Sequence, residues 1–344
     1  MSPGVAATAA ELAAVLQAYL TRRLPNAAKV TLGSLRRSGG GTSRENWSFD
    51  ASWTTDGKPV TRPLLLRRDP IAGVVETDRQ VEYRLLQALE GAPLPTPVVR
   101  WFEADGAELG RPFMIMDRAQ GASDRAVLTD RNPFGLDVAD RVTLGRRYCE
   151  LLAEVHRLDI EHLGIDRVLP PPHGSPAERE IDRWEAELSR QALEPQPALR
   201  LVAWWLREHI PPQPTRLALV HGDYRPANAL IHDGRVEALL DWEFAHLGDP
   251  LEDVGWYCAP LYRREHFIPG RWEQPDFLRR YTDLTGIEVS TAALSFWQTL
   301  AMFKLAVLAL TAVRIFCAGD SRRPAAPAGT LVREVLRAAG AWPS

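Results

Sequence analysis

Cysteine is scarce: Cys149, Cys258 and Cys317 are far apart, odd in number and without a CxxC pair, which argues against both a disulfide framework and a zinc site. They read as buried free thiols. No basic stripe is present either. Lys and Arg number 41 against 44 Asp and Glu, the formal net charge is -3, and pairs such as Arg36-Arg37 and Arg67-Arg68 stand isolated, so no nucleic acid partner is expected. The first residues lack a basic stretch followed by an apolar core, so no leader is read and the cytoplasm is the expected location. An uninterrupted membrane-length run is also missing. Ala292 to Phe316 is apolar but broken by Gln298, Lys304 and Arg314, and charge near the centre of a lipid-embedded helix is costly; it reads as a core helix, with no membrane partner. What is present is 45% apolar residues over 344 positions, enough for a large core and more than one compact unit usually holds.

The most informative run is His221-Gly222-Asp223, with Asn228 and Asp241 downstream. Between them, Ala229 to His232 and Arg235 to Leu240 flank Asp233-Gly234, a strong hairpin signal. If the loop has two residues, opposed positions sum to a constant, which sets Asn228 opposite Leu239 and Asp241 on its diagonal, about 7 to 8 Å away. An amide oxygen and a carboxylate at that separation can share one magnesium ion, with water and phosphate oxygens completing its shell. Asp223 precedes the first strand and stands where it can take a proton from an attacking hydroxyl. An acid, then an amide five residues later, then a second acid after a hairpin, is the arrangement of kinase phosphoryl-transfer centres.

The segments Leu219 to Asn228, Leu240-Asp241-Trp242-Glu243 and Gly248-Asp249-Pro250-Leu251-Glu252-Asp253 resemble the aminoglycoside phosphotransferase and choline kinase-like family, the small-molecule relatives of protein kinases. The wording is most similar to the branch related to the kinase domain fused to some acyl-CoA dehydrogenases. The resemblance extends from about Leu32 to about Phe316. It implies an α+β, bilobal protein-kinase-like fold, with a small N-terminal β-sheet lobe at 1–117 and a larger, mainly helical C-terminal lobe at 118–344 carrying a helical insertion at about 178–210. It also implies ATP and Mg2+ as cofactors, Asp223 as catalytic base, Asn228 and Asp241 as metal ligands, and a small-molecule hydroxyl as phosphoryl acceptor. The branch points to a hydroxyacyl-CoA. An aminoglycoside, another antibiotic or an amino alcohol is the alternative acceptor, and a catalytically inactive pseudokinase serving as a ligand-binding module is the alternative of another class.

Around this centre the chain reads as follows. Glu11 to Leu24 is an amphipathic helix. Strands at Leu32 to Arg37 and Trp47 to Trp53 flank a glycine loop whose Gly40, Gly41, Thr42 and Ser43 can bring backbone N–H groups to phosphate oxygens. Arg67 ends an apolar strand where a kinase would carry Lys, and a guanidinium can fork onto phosphate. Glu82, on a helix at Thr77 to Leu89, is placed to pair with it. After a strand at Pro112 to Met116, backbone groups around Met116 to Arg118 are expected to meet the adenine edge. Ala139 to Leu158 is a helix ended by a structural His156. Glu178 to Ile210 forms two helices bearing Trp184, Trp204 and Trp205, read as the acceptor side, although carboxylates from Glu178 to Glu187 could also serve a cationic acceptor. Asp249-Pro250 starts a helix with Glu252 closing a capping box. Asp253 can bond the catalytic loop, Glu243 can reach a second magnesium, and His246, Trp242 and Trp256 read as packing.

Overall fold

The structure is a computed structural model that describes residues 9–38, 45–68, 79–319 and 328–340. It divides into two compact units, Met1–Gln87 with Pro97–Ala119, and Ala88–Thr96 with Gln120–Ser344.

The first unit contains α1 (Ala9–Arg23), β1 (Ala28–Leu32), β2 (Arg36–Ser38), β3 (Glu45–Thr55), β4 (Lys58–Arg68), all but the last two residues of α2 (Arg79–Leu89), β5 (Val99–Glu103) and β6 (Phe113–Asp117). The strands form one antiparallel sheet in the order β1-β3-β4-β6-β5, with β2 on the same edge of β3 as β1. Asp56 and Gly57 turn β3 into β4 with φ of 52° and 72°, the left-handed pair that a two-residue hairpin loop demands. Alternation does the rest. Phe49, Ala51, Leu64 and Leu66 share one apolar core with Leu12, Leu16, Tyr19 and Leu20 of α1, while Trp47 and Trp53 pack at its margin. Parity then sends Arg68 to this same face, where it is buried against Glu45 and the Leu109 carbonyl, and Arg67 to the other.

The second unit holds α3 (Val138–His156), α4 (Ile165–Val168), α5 (Pro176–Gln191), α6 (Pro197–Glu208), β7 (Ala218–Val220), β8 (Ala229–His232), β9 (Arg235–Leu239), β10 (His246–Gly248), α7 (Leu251–Tyr257), α8 (Arg263–His266), α9 (Gln274–Thr285), α10 (Thr291–Cys317) and α11 (Ala328–Ala338). Local chemistry marks the helix starts. Asp137, Ser175 and Ser290 accept from the N–H three residues on, and Pro176 follows its cap at the first helical position. Helix α10 is long and apolar enough to cross a membrane, yet Phe296, Trp297, Leu300, Met302, Phe303 and Val307 are buried within the protein. Each such side chain stabilises the fold by about 1.5 to 3 kcal/mol. Contact with α7 is close enough that a Cβ on Gly255 would lie 2.3 Å from that of Trp297. Cys149 and Cys258 are buried as expected, whereas Cys317, at the end of α10, is exposed because the helix has left the core there.

Candidate active site

Two small antiparallel ladders carry the site. β7 pairs with β10, Val220 opposite His246, and ends at the His221-Gly222-Asp223 loop; β8 pairs with β9 across Asp233-Gly234, whose φ values are 47° and 72°. The hairpin register differs from the constant-sum expectation. Ile231 pairs with Val236, but Leu230 pairs with Ala238, so Glu237 is an inserted bulge residue. Asn228 therefore faces Leu240, whose N–H donates to the Asn228 carbonyl at 2.7 Å, instead of Leu239. Asp241 is the next residue, not a diagonal neighbour one step further. It sits at φ 60°, ψ 55°, a left-handed conformation that costs a non-glycine residue about 1 kcal/mol or more and is held only where surroundings impose it.

Asn228 lies in a one-turn 3-10 helix, Pro226–Asn228, ahead of β8. Its Nδ2 donates to Asp223 Oδ2 at 2.7 Å and to the Asp223 carbonyl at 2.9 Å. With the amide nitrogen committed, Oδ1 is the atom Asn228 has left to offer a cation. The Asn228 amide oxygen and the Asp241 carboxylate are hard oxygen donors of the kind magnesium takes. Burial pushes the Asp223 carboxyl above the usual carboxylate range and the charge of Asp241 adds to this, against the opposing pull of Arg225, Asn228 and His221. A carboxylate raised in this way would, as a base, be better matched to proton transfer than one at the ordinary value.

The loop is fastened from behind. Asp253, on α7, accepts from His221 N–H at 2.7 Å and Gly222 N–H at 2.9 Å, and meets His156 Nε2 at 3.2 Å; His156 Nδ1 in turn meets the Tyr281 hydroxyl at 2.7 Å. Burial alone would raise the Asp253 carboxyl, but these partners hold it below the ordinary value. His221 Nδ1 accepts from Asp223 N–H while Nε2 donates to the Leu240 carbonyl at 2.9 Å, so its ring ties the loop to the end of β9 and leaves no nitrogen for the reaction. Gly222 has φ 81°, and a Cβ there would lie 2.8 Å from that of Phe244, so no other residue fits without displacement.

Arg225 was missed as a site residue. Its Nε lies 3.0 Å from Asp223 Oδ1, too bent for a hydrogen bond, and both atoms are buried without one. No sequence signal singled it out: Pro226 favours the extended backbone that Arg225 adopts, φ -160° and ψ 157°, but its approach to Asp223 is set by the folded loop.

The remaining expected site residues are distributed as follows. Arg67 Nη1 meets Glu82 Oε1 at 3.2 Å, with Arg79 at 3.6 Å from the same carboxylate. Met116 is buried in β6, and the N–H groups of Asp117 and Arg118 donate to the Val98 and Pro63 carbonyls; two of the backbone donors expected to face a base are thus used within the sheet. The Arg118 side chain meets Asp50 at 2.8 Å. Gly40, Gly41, Thr42 and Ser43 lie outside the described residues. The capping box at α7 is not formed: Asp249 Oδ1 accepts from Leu251 N–H, but Glu252 turns away to Lys304 and His246. His246 is accordingly part of a charged cluster and not a packing residue.

The profile of a family described as "Phosphotransferase enzyme family" matches residues 42–295. Acyl-CoA dehydrogenase family member 11 of Gallus gallus is 28% identical over 314 residues, which cover 85% of this chain but 38% of that protein, so the chain spans well under half of this curated relative. Among solved structures, a candidate aminoglycoside phosphotransferase of Ralstonia eutropha JMP134 is similar with a TM-score of 0.69 at 23% identity, over 95% of each chain. A thermostable mutant of aminoglycoside phosphotransferase APH(4)-Ia, in ternary complex with ADP and hygromycin B, is similar with a TM-score of 0.60 at 15% identity, over 95% of this chain and 98% of that one. These similarities place the fold among the kinase-like phosphotransferases.

Proposed function

The chain belongs to the phosphotransferase enzyme family, and on that premise we propose that it transfers the γ-phosphoryl group of ATP to a hydroxyl of a small molecule, with a hydroxyacyl-CoA as acceptor. The observation that carries the reading is the Asp223–Asn228 contact: one half-buried carboxylate oriented by an amide that keeps its oxygen for a cation. Magnesium, when bound by Asn228 and Asp241, would neutralise phosphate charge. Asp223 orients the acceptor hydroxyl and takes its proton; the hydroxyl oxygen bonds to the γ-phosphorus, the bond to the bridging oxygen breaks, and ADP leaves. Arg225, already against Asp223, supplies positive charge beside the reacting oxygen. Arg67, held by Glu82, is the counter-charge for the nucleotide's α- and β-phosphates.

Two observations support the acyl-CoA acceptor over a polycationic antibiotic. The relative from Gallus gallus carries the acyl-CoA dehydrogenase name. Moreover, Glu180, Asp182, Glu185 and Glu187 of α5 are neutralised by Lys304, Arg207 and Arg190, which leaves little carboxylate charge on that helix for a cationic sugar. The test is magnesium-dependent ADP release on adding hydroxyacyl-CoAs of several chain lengths, aminoglycosides or choline. Release with hydroxyacyl-CoA alone is the expected result; release with an aminoglycoside or choline instead would move the acceptor assignment, and none with any acceptor, ATP still bound, would favour a pseudokinase. Asp223→Ala should lower turnover about 10²- to 10⁴-fold while nucleotide still binds.

A further inference from the structure

Glu180 of α5, His246 of β10, Glu252 of α7 and Lys304 of α10 meet in the interior, each at most 5% exposed. Lys304 Nζ lies 3.0 Å from Glu180 Oε2 and bonds Glu252 Oε1; His246 Nε2 lies 3.1 Å from Glu252 Oε2 and 3.7 Å from Glu180 Oε1. Two acids and an imidazole so close together could suggest a metal site. The Lys304 ammonium answers that suggestion, since it already occupies the cation's place between the carboxylates. His246 is itself cationic by geometry. Nε2 faces only carboxylate oxygens and Nδ1 faces the Phe244 carbonyl at 3.0 Å, so both ring nitrogens must donate. Burial would lower its pKa, yet Glu252 and Glu180 hold it above the ordinary histidine value. The cluster thus balances two negative and two positive charges, with Arg183 at its edge, 3.5 Å from Glu180.

Such a cluster is a poor device for stability alone, because apolar residues of similar volume do as well or better. Its placement suggests another purpose. The carbonyl that His246 grips belongs to Phe244, at the end of the short 3-10 turn that begins directly after Asp241. Phe244 abuts Gly222 in the catalytic loop, and His246 pairs with Val220, one residue before that loop. On the opposite side, Trp184 of α5 donates to Glu180 at 3.2 Å, lies under the Lys304 ammonium and packs toward Phe244, ring centres 6.2 Å apart.

We propose that the Glu180–His246–Glu252–Lys304 quartet is a positioning device for phosphoryl transfer: His246 fixes the turn that presents Asp241 against the catalytic loop, and the Glu180–Lys304 pair fastens the acceptor-side helix α5 to the same point. This rests on the phosphotransfer reading above. The four are positioning residues and touch neither nucleotide nor acceptor. Two variants separate the roles. His246→Gln can donate on one side only; it should remain folded by circular dichroism, lower kcat at least tenfold and raise the half-saturating magnesium concentration at least threefold. The charge-neutral pair Glu180→Gln with Lys304→Met keeps the His246–Phe244 contact, so it should leave half-saturating magnesium near the parent value and raise KM for the acceptor at least fivefold. Folded variants with unchanged kcat, magnesium dependence and acceptor KM, altered only in melting temperature, would overturn the proposal, and either arm alone behaving like the parent would overturn its half. If His246→Gln does not fold, the neutral pair decides. Calorimetry of Mg·ATP on the unmodified chain separates the two readings: no binding there sinks phosphotransfer and this inference together, whereas parental binding and turnover with unaffected variants sinks this inference only.

Discussion

At the scale of single residues, the site is organised around a carboxylate placed where its charge is disfavoured. Asp223 is half-buried and feels the charge of Asp241, and the folded protein therefore holds its proton more tightly than the unfolded chain does. The sign follows directly: as pH rises from the ordinary carboxylate range toward the raised value, ionisation subtracts stability, and the deficit persists above it. Asp223→Asn should thus melt higher than the parent at pH 7 in metal-free buffer while losing turnover, a trade between stability and function. An equal or lower melting temperature would show that burial is not what raises this group. Arg225 works in the opposite direction by drawing the carboxyl down. Removing it in Arg225→Gln should move the acidic limb of the kcat/KM profile upward in pH, which a pH series with saturating magnesium would read. Spacing and residue type singled out Asp223, Asn228 and Asp241 in the sequence, and the fold brings the first two into contact. Arg225 was not singled out: the proline after it favours extended backbone there, but its approach to Asp223 depends on how the loop folds.

At the scale of elements, turn chemistry is written locally and tertiary pairing is not. Asp56-Gly57 and Asp233-Gly234 each adopt the left-handed pair their sequences announce, since few other residues tolerate it. The bulge at Glu237 had no such signal. It arises between Leu230, paired with Ala238, and Ile231, paired with Val236, where the hairpin must bury Ala238 and Leu239 together. One unpaired residue was enough to move Asn228 from Leu239 to Leu240. The capping box failed for a similar reason, because Glu252 had a better partner in Lys304, 52 residues away. Helix α7 shows what such distant pairing accomplishes. Its Asp253 satisfies two loop N–H groups, and Asp253→Ala would orphan both, at about 1 to 3 kcal/mol per buried donor. The depressed pKa sets the pH dependence: its contribution is present above the unfolded carboxylate value and is lost as pH falls through the folded one. Urea titrations should therefore show the gap between the parent and Asp253→Asn narrowing at acid pH. A gap constant across that range would mean that shape, not charge, holds the loop.

At the scale of the whole molecule, the kinds and order of elements were readable from periodicity and caps, from the α1 stripe to the apolar length of α10. What was not readable is how α10 uses its one lysine. In sequence, Lys304 only interrupts a hydrophobic run; in the fold it neutralises acids from two other helices, and the information for that pairing is spread over all three. The same global logic yields a test of the site that needs no acceptor. A ligand that binds only the folded state stabilises it by RT ln(1 + [L]/Kd), about 2.7 kcal/mol at a hundredfold excess over Kd. For a chain of this size the melting temperature should then rise with Mg·ATP by several degrees, on the order of 5 °C. Because Asp241 is assigned to hold the cation, Asp241→Ala should lose most of the magnesium-dependent part of that rise, and Asp223→Asn, which touches the acceptor side of the reaction, should keep it. If both variants keep the full rise, the cation is held elsewhere and the assignment of Asp241 as its ligand fails. If both lose it, Asp223 belongs to the metal's own shell, and another group must take the proton.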